Sequence, residues 1–299
     1  MSMSERSCES FRSRVKLTLW LLLVVFSCLP ASGTTVLVIL TPEGIVIAAD
    51  SKIVSKDFGG YSASPEGPAN KIIVVRDRIA VGNIGFLSQH IETMDDRPLF
   101  DYDPASWLKG IEQKTSPDIS VSEFIDTLGS EARTEFSHLN DLIRDPAFKE
   151  KESYCESQGV QYLVAGFESG IAVVEEVNFT IDEKSCQITG PFVQPIFPSP
   201  DTLRFDFGFH PASMGYEDAA ADVVYGKTWS KGYRSIGFES PMELWMLLAK
   251  RDLSLDQAST LLHAILRAQN KYTPAAVGPP YTVVRLLKDG TLNRLSYRD

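Results

Sequence analysis

From Thr34 onward the chain opens with four apolar runs: TTVLVILT, GIVIAAD, KIIVV and IAVGNIG. Pro42-Glu43-Gly44 separates the first two and Arg76-Asp77-Arg78 the last two, so the pattern predicts two β-hairpins. None of the runs alternates strictly between apolar and polar positions. Strands that are apolar on both sides belong to sheets covered on both faces. The stretch between the hairpins, SKIVSKDFGGYSASPEGPAN, is rich in Gly, Ser and Pro and predicts a surface excursion.

Spacing changes after Gly85. FLSQHIETM predicts a helical stretch. After an acidic piece containing proline, Phe124, Ile125, Leu128, Ala132, Phe136 and Leu139 recur at intervals of three and four, which predicts an amphipathic helix. Ser120 followed three residues on by Glu123 fits a capping box at its start. Strands return in VQYLVAGFES and IAVVEEVNFTI, joined by Ser169-Gly170. Residues 182–235 read as irregular, with a short helix suggested at YEDAAADVVYG. SPMELWMLLAKR and SLDQASTLLHAILRAQNKY then predict two helices, and YTVVRLLKDGTLNRLSY a closing hairpin around Asp289-Gly290. Strand and helix runs segregated in this way predict an α+β domain, with two central sheets between two helical layers. No internal repeat or long linker divides residues 34–299, so one domain with an irregular insertion around 182–235 is expected.

Composition changes the picture mainly at the N-terminus. Arg6, Arg12, Arg14 and Lys16 precede a mostly apolar run, Leu17 to Leu29, and Ala31-Ser32-Gly33 supplies small residues for a cut before Thr34. Residues 1–33 therefore read as a signal peptide, and the chain as exported to a periplasmic or extracellular space. The run is short for a membrane span of about 20 residues, although an uncleaved leader acting as a membrane anchor is the competing reading. Lipidation at Cys28 is disfavoured by Phe26. The net charge is −10. That acidity argues against nucleic acid and anionic membrane surfaces as partners. Leader removal leaves Cys155 and Cys186, which flank a predicted hairpin and are able to pair in an oxidising compartment. There is no CxxC or HExxH, so neither a metal nor another cofactor is expected.

A cut before Thr34 would place a hydroxyl and a free α-amine on one residue. A threonine hydroxyl needs a nearby base to become a useful nucleophile. An α-amine, with an ordinary pKa of about 7.7–8.0, is such a base near neutrality. Nucleophile and base on one N-terminal threonine is an established variant of the catalytic triad. Asp50 ends the second apolar run and Lys71 begins the third. A hairpin of this length returns Asp50 toward the start of the first strand, where Lys71 would pair with it and favour unprotonated forms of hydroxyl and amine. Gly85, before the expected helix, offers a backbone N–H to an oxyanion with no side chain in the way. Singly, each residue has an ordinary reading: strand opener, turn or cap, strand-end charge and chain breaker. The specificity lies in the combination.

GTTVLVILTPEGIVIAADSK, NKIIVV and IAVGNIG together resemble the opening of proteasome β-type subunits, members of the N-terminal-nucleophile hydrolases. Gly33, Thr34, Gly44, Asp50-Ser51, Lys71-Ile72 and Gly85 carry the match. RDLSLDQASTLLHAILRAQ and VGPPYTVVRLLKDG resemble the family's last long helix and closing hairpin. The resemblance implies a four-layer αββα sandwich and an exported threonine-type peptidase or amidohydrolase. Such an enzyme would cleave peptide or other amide bonds through an acyl-enzyme on Thr34, with Asp50 and Lys71 tuning it and Gly85 binding the oxyanion. It also implies a homo-oligomer. Two departures stand out. The region after the last long helix, NKYTPAAVGPP, contains neither Asp nor Ser, and the family's central serine has two candidates here, Ser213 and Ser240. They favour the competing class, a non-catalytic assembly or scaffold subunit.

Overall fold

The computed structural model describes residues 35–52, 54–57, 60–63, 69–84, 89–92, 98–144, 159–182, 184–196, 209–212, 237–272 and 277–298. The first two apolar runs form β1 (Val36–Leu40) and β2 (Gly44–Ala49), paired antiparallel with Val36 opposite Ala49 and Leu40 opposite Ile45. Thr41 closes their turn: its Oγ1 accepts from the Gly44 N–H at 3.0 Å and donates to the Gly44 carbonyl. The second pair forms β5 (Ile72–Val75) and β6 (Ile79–Ile84), turned through Arg76 and Asp77 at positive φ.

Two departures from the sequence reading lie between and after these hairpins. The expected surface excursion contains a small hairpin, β3 (Val54–Asp57) with β4 (Gly60–Ala63). The helix expected after Gly85 is instead a strand, β7 (Gln89–Glu92), paired with β8 (Pro98–Tyr102). FLSQHIETM is too short to hold a helix on its own propensity, and the pairing with β8 prevails. An unforeseen helix, α1 (Pro104–Lys114), follows, capped by Asp103, whose carboxylate accepts from the Ser106 N–H at 2.9 Å, with Pro104 in the first turn. The amphipathic helix is α2 (Val121–Arg144). Its capping box is present: Glu123 N–H donates to Ser120 Oγ and Ser120 N–H to Glu123 Oε2, at 3.1 and 3.0 Å.

Next come β9 (Val160–Glu168) and β10 (Ile171–Ile181). The segment read as irregular is corrected in part, because it holds β11 (Ile188–Pro195) and β12 (Phe209–Ala212). The suggested helix at YEDAAADVVYG lies outside the described residues. The chain ends with α3 (Pro241–Lys250), α4 (Leu255–Tyr272), β13 (Tyr281–Leu287) and β14 (Leu292–Tyr297).

The strands build two five-stranded antiparallel sheets, ordered β12-β1-β2-β13-β14 and β11-β10-β9-β6-β5. The fold is therefore mixed α/β around two sheets, and the pattern of burial explains the uninterrupted apolar runs. Leu37, Ile39, Val46 and Ala48 cluster with Leu244, Leu248 and the apolar face of α4. Val36, Val38, Leu40, Ile45, Ile47 and Ala49 instead cluster with residues of the second sheet, including Ala80, Ile84, Leu163 and Ala165. A third cluster joins the second sheet to α1 and α2 through Val81, Tyr162, Val164, Leu108, Phe124 and Leu128. Alternate residues of one strand thus enter different cores, so no position is left to be polar.

Gly82 on β6 sets how closely the sheets approach. A Cβ at this position would lie 2.7 Å from Val36 Cγ1, inside ordinary contact distance. Gly82→Val is expected to destabilise the fold by about 1–3 kcal/mol through overpacking. Urea unfolding should show a lower midpoint at an unchanged slope.

At the outer edge of the second sheet, the Ile196 N–H donates to the Val174 carbonyl at 3.0 Å. Alternation along an antiparallel strand then turns the backbone of positions 193 and 195 away from β10. Position 195 is proline, as is 191. Phe192 and Val193 on this strand are 55% and 47% exposed. Beside β11, Cys186 is buried and disulfide-bonded. Its partner is outside the described residues, as is Cys155.

Candidate active site

Asp50 follows β2 directly and Lys71 precedes β5, so the pair joins the ends of strands from the two sheets. Lys71 Nζ lies 2.9 Å from Asp50 Oδ1, and both side chains are sealed from solvent. The same Oδ1 accepts the backbone N–H of Thr35 at 3.1 Å, and Oδ2 accepts that of Lys52 at 3.0 Å. The carboxylate thus ties the base of β1 to the end of β2 and to the second sheet. Lys71 is fixed from its backbone as well, its carbonyl accepting the Asn83 N–H at 2.9 Å. The nitrogen that Asp50 holds on Thr35 belongs to the peptide bond joining Thr34 to Thr35.

Burial acts on both partners in the direction that removes charge. It raises the Asp50 carboxyl above its ordinary value, against the opposing pull of the Lys71 charge and of the hydrogen bonds from Lys71, Thr35 and Lys52. It lowers the Lys71 ammonium, against the attraction of Asp50. A lysine loosened in this way exchanges its proton closer to neutrality than a surface lysine does.

Two buried hydroxyls stand close by in the chain. Thr35 is 0% and Ser51 4% exposed, and neither Thr35 Oγ1 nor Ser51 Oγ has a hydrogen-bond partner among the described residues. The backbone of Ser51 is nonetheless pinned on both sides. Its N–H donates to the Gly278 carbonyl at 3.3 Å and its carbonyl accepts the Ala69 N–H at 2.7 Å. Sequence reading gave Ser51 no role of its own.

Of the four residues singled out from the sequence, the structure brings Asp50 and Lys71 together, whereas Thr34 and Gly85 lie outside the described residues. Ser240, one of the two candidate supporting serines, caps α3, its Oγ accepting the Glu243 N–H at 3.1 Å. Ser213 lies outside the described residues. Among the described residues, no group of three or more His, Cys, Asp or Glu side chains is placed to hold a metal, and no helix is long and apolar enough to cross a membrane.

Fold and site together define a mixed α/β protein of two antiparallel sheets clasped at one end by a buried Asp–Lys pair. No family model matches the chain, and no curated protein matches it. Solved structures similar to it include Anbu (ancestral β-subunit) from Yersinia bercovieri, at 13% identity and a TM-score of 0.48, covering 89% of this chain and 88% of that one. Another is the Anbu (Gly-1) mutant from Hyphomicrobium sp. strain MC1, at 11% identity and a TM-score of 0.42, covering 89% and 87%. The expected assignment to the proteasome β-type subunits and their hydrolase family is corrected by these findings. Likeness at this level assigns the chain to no family, and the short N-terminal motifs that suggested one match no family model.

Proposed function

We propose that this chain is a threonine-type amidohydrolase that cleaves peptide or other amide bonds through an acyl-enzyme on Thr34. The observation that carries the reading is the buried Asp50 carboxylate, which holds both Lys71 Nζ and the peptide nitrogen following Thr34. Export and removal of residues 1–33 would leave Thr34 with a free α-amine. In this reaction the Thr34 hydroxyl oxygen attacks the substrate carbonyl carbon while the α-amine takes the hydroxyl proton. The tetrahedral oxyanion is met by the Gly85 N–H, and the proton passes to the departing amine as the C–N bond breaks. Water then enters by the reverse sequence, splitting the Thr34 ester and releasing the acid. Lys71 supplies positive charge beside the hydroxyl, and Asp50 fixes Lys71 and the base of β1.

The three apolar clusters support a layered arrangement of helices, sheet, sheet and helices in a single domain over residues 34–299. Self-association as a homo-oligomer is part of the same reading. The test joins two measurements on protein exported from the full-length gene. N-terminal sequencing is expected to return Thr34 first, and a β-lactone electrophile is expected to acylate that residue with loss of amide-cleaving activity. A mature start elsewhere refutes the mechanism.

A second reading rests on one specific observation. The chain between α4 and β13 supplies no Asp and no Ser to support the amine. On that reading the chain is a non-catalytic assembly subunit, and a Thr34 start that resists acylation would establish it.

A further inference from the structure

Away from the Asp50–Lys71 clasp, α2 lies against β11 along a seam held at two places. On one side Pro191 packs so closely that a Cβ added at Gly129 would stand 2.9 Å from its Cγ. On the other, the Asn140 amide brackets Ile188, accepting its N–H at 2.7 Å and donating to its carbonyl at 3.0 Å. Arg144 adds a hydrogen bond to Gln187 Oε1 at 2.5 Å. A cavity of about 150 Å³ opens along this seam, floored by Phe136, Phe179 and Ile188 and rimmed by Arg133 and Ser137. The floor is rigid: the two phenylalanine rings are buried and meet edge-on, with centroids 5.2 Å apart.

The rim carries an unanswered charge. Arg133 makes no hydrogen bond or ion pair among the described residues. Its neighbours one helical turn away, Gly129, Ser130, Phe136 and Ser137, include no carboxylate. Asp141 and Arg144 also line the cavity, but they face each other at 3.4 Å. A spare guanidinium over an apolar floor reverses the local sign on a chain of net charge −10. Guanidinium grips a carboxylate through two parallel N–H bonds, and Ser137 offers a hydroxyl on the same rim. The apolar floor suits a hydrocarbon group and not a hydrated inorganic anion. The volume is below the roughly 300–1,000 Å³ of sites that enclose a whole small molecule, so it admits about one residue. The exposed rim leaves a way out for a longer chain. We propose that this cavity binds the C-terminal carboxylate of a peptide ending in an aliphatic residue. The carboxylate meets Arg133 and Ser137, and the side chain rests on Phe136, Phe179 and Ile188. Amide hydrolysis creates chain ends of this kind, but the site stands on the α2–β11 seam and not on chemistry at Thr34.

The probe is N-acetyl-leucine, titrated into the isotopically labelled, exported protein and followed by amide NMR signals. Binding is expected with a Kd of about 1–10 mM, with shifts at Ser137, Asn140 and Ile188. N-acetyl-leucinamide, which lacks the charge, should bind at least about tenfold more weakly, and so should the acid to Arg133→Gln. Arg133 is exposed, so Arg133→Gln should keep the wild-type urea midpoint. The acid–amide comparison on wild type decides the matter even if that variant misfolds. Equal binding of acid and amide overturns the inference, as does unchanged affinity in a folded Arg133→Gln. Shifts confined to other parts of the chain, or no binding at about 50 mM, overturn it too. Inorganic phosphate binding more tightly than N-acetyl-leucine would make this a general anion site and overturn the assignment to a peptide end. None of these readouts depends on turnover. A protein that binds the probe yet cleaves no amide keeps this inference and loses the amidohydrolase reading, and the converse result does the reverse.

Discussion

Thr34→Ala, exported with its own leader, is expected to keep its fold and lose amide hydrolysis by a factor of about 10⁴ or more. On the proposed mechanism the substitution would leave an N-terminal α-amine, the Asp50–Lys71 pair and the Thr35 amide in place and remove only the oxygen that would bond to the substrate. Base without nucleophile forms no acyl-enzyme, so single-turnover experiments should show neither a burst nor a covalent adduct. Thr34→Ser retains the hydroxyl and should retain measurable turnover. Urea midpoints for the two variants and wild type should coincide, which separates lost chemistry from lost folding. Unchanged hydrolysis in Thr34→Ala would place the nucleophile elsewhere in the chain.

Lys71→Met is expected to destabilise the protein by about 3–5 kcal/mol, the loss seen when one member of a buried ion pair is removed. Methionine fills similar volume, so the loss is electrostatic in origin: Asp50 remains sealed from water with its countercharge gone. Burial already raises the Asp50 carboxyl above 3.8, and removing Lys71 raises it further. The folded variant then holds a proton that the unfolded chain releases above about pH 3.8. Its stability is greatest in acid and is lost as pH rises through the folded-state pKa. Urea unfolding at pH 4 and pH 8 should show the larger deficit at pH 8. The double variant Asp50→Asn/Lys71→Met carries no buried charge at the clasp and should recover much of the loss, giving strong coupling in the double-mutant cycle. Additive effects would mean that the 2.9 Å contact contributes little to the fold.

The parts of this architecture legible in the sequence are those written by local rules. VLVIL and GIVIAA had to be strands because alternate positions feed different cores, and the Ser120–Glu123 box announced α2. The Asp50–Lys71 contact was legible too, because the hairpin connection leaves Asp50 no other place to return. What escaped depended on distant pairing. Gln89–Glu92 is a strand only through Pro98–Tyr102, and Phe209–Ala212 only because β1 offers an edge to it. Asp103 and Pro104 were a readable start for α1 that the acidic surroundings concealed. The family resemblance misled for a related reason. Short strand–turn motifs record what a hairpin needs as much as descent, and no family model matches the chain that carries them.

The proline at position 195 of β11 gives the second sheet a particular kind of ending. Fibril growth and strand exchange proceed by templating, each arriving strand reading an uninterrupted row of amide hydrogens. At this margin the row is broken at Pro195, with another hydrogen-less residue at Pro191. A strand arriving here would find the Val193 N–H but no amide hydrogen at Pro195, so a continuous ladder cannot extend along this margin.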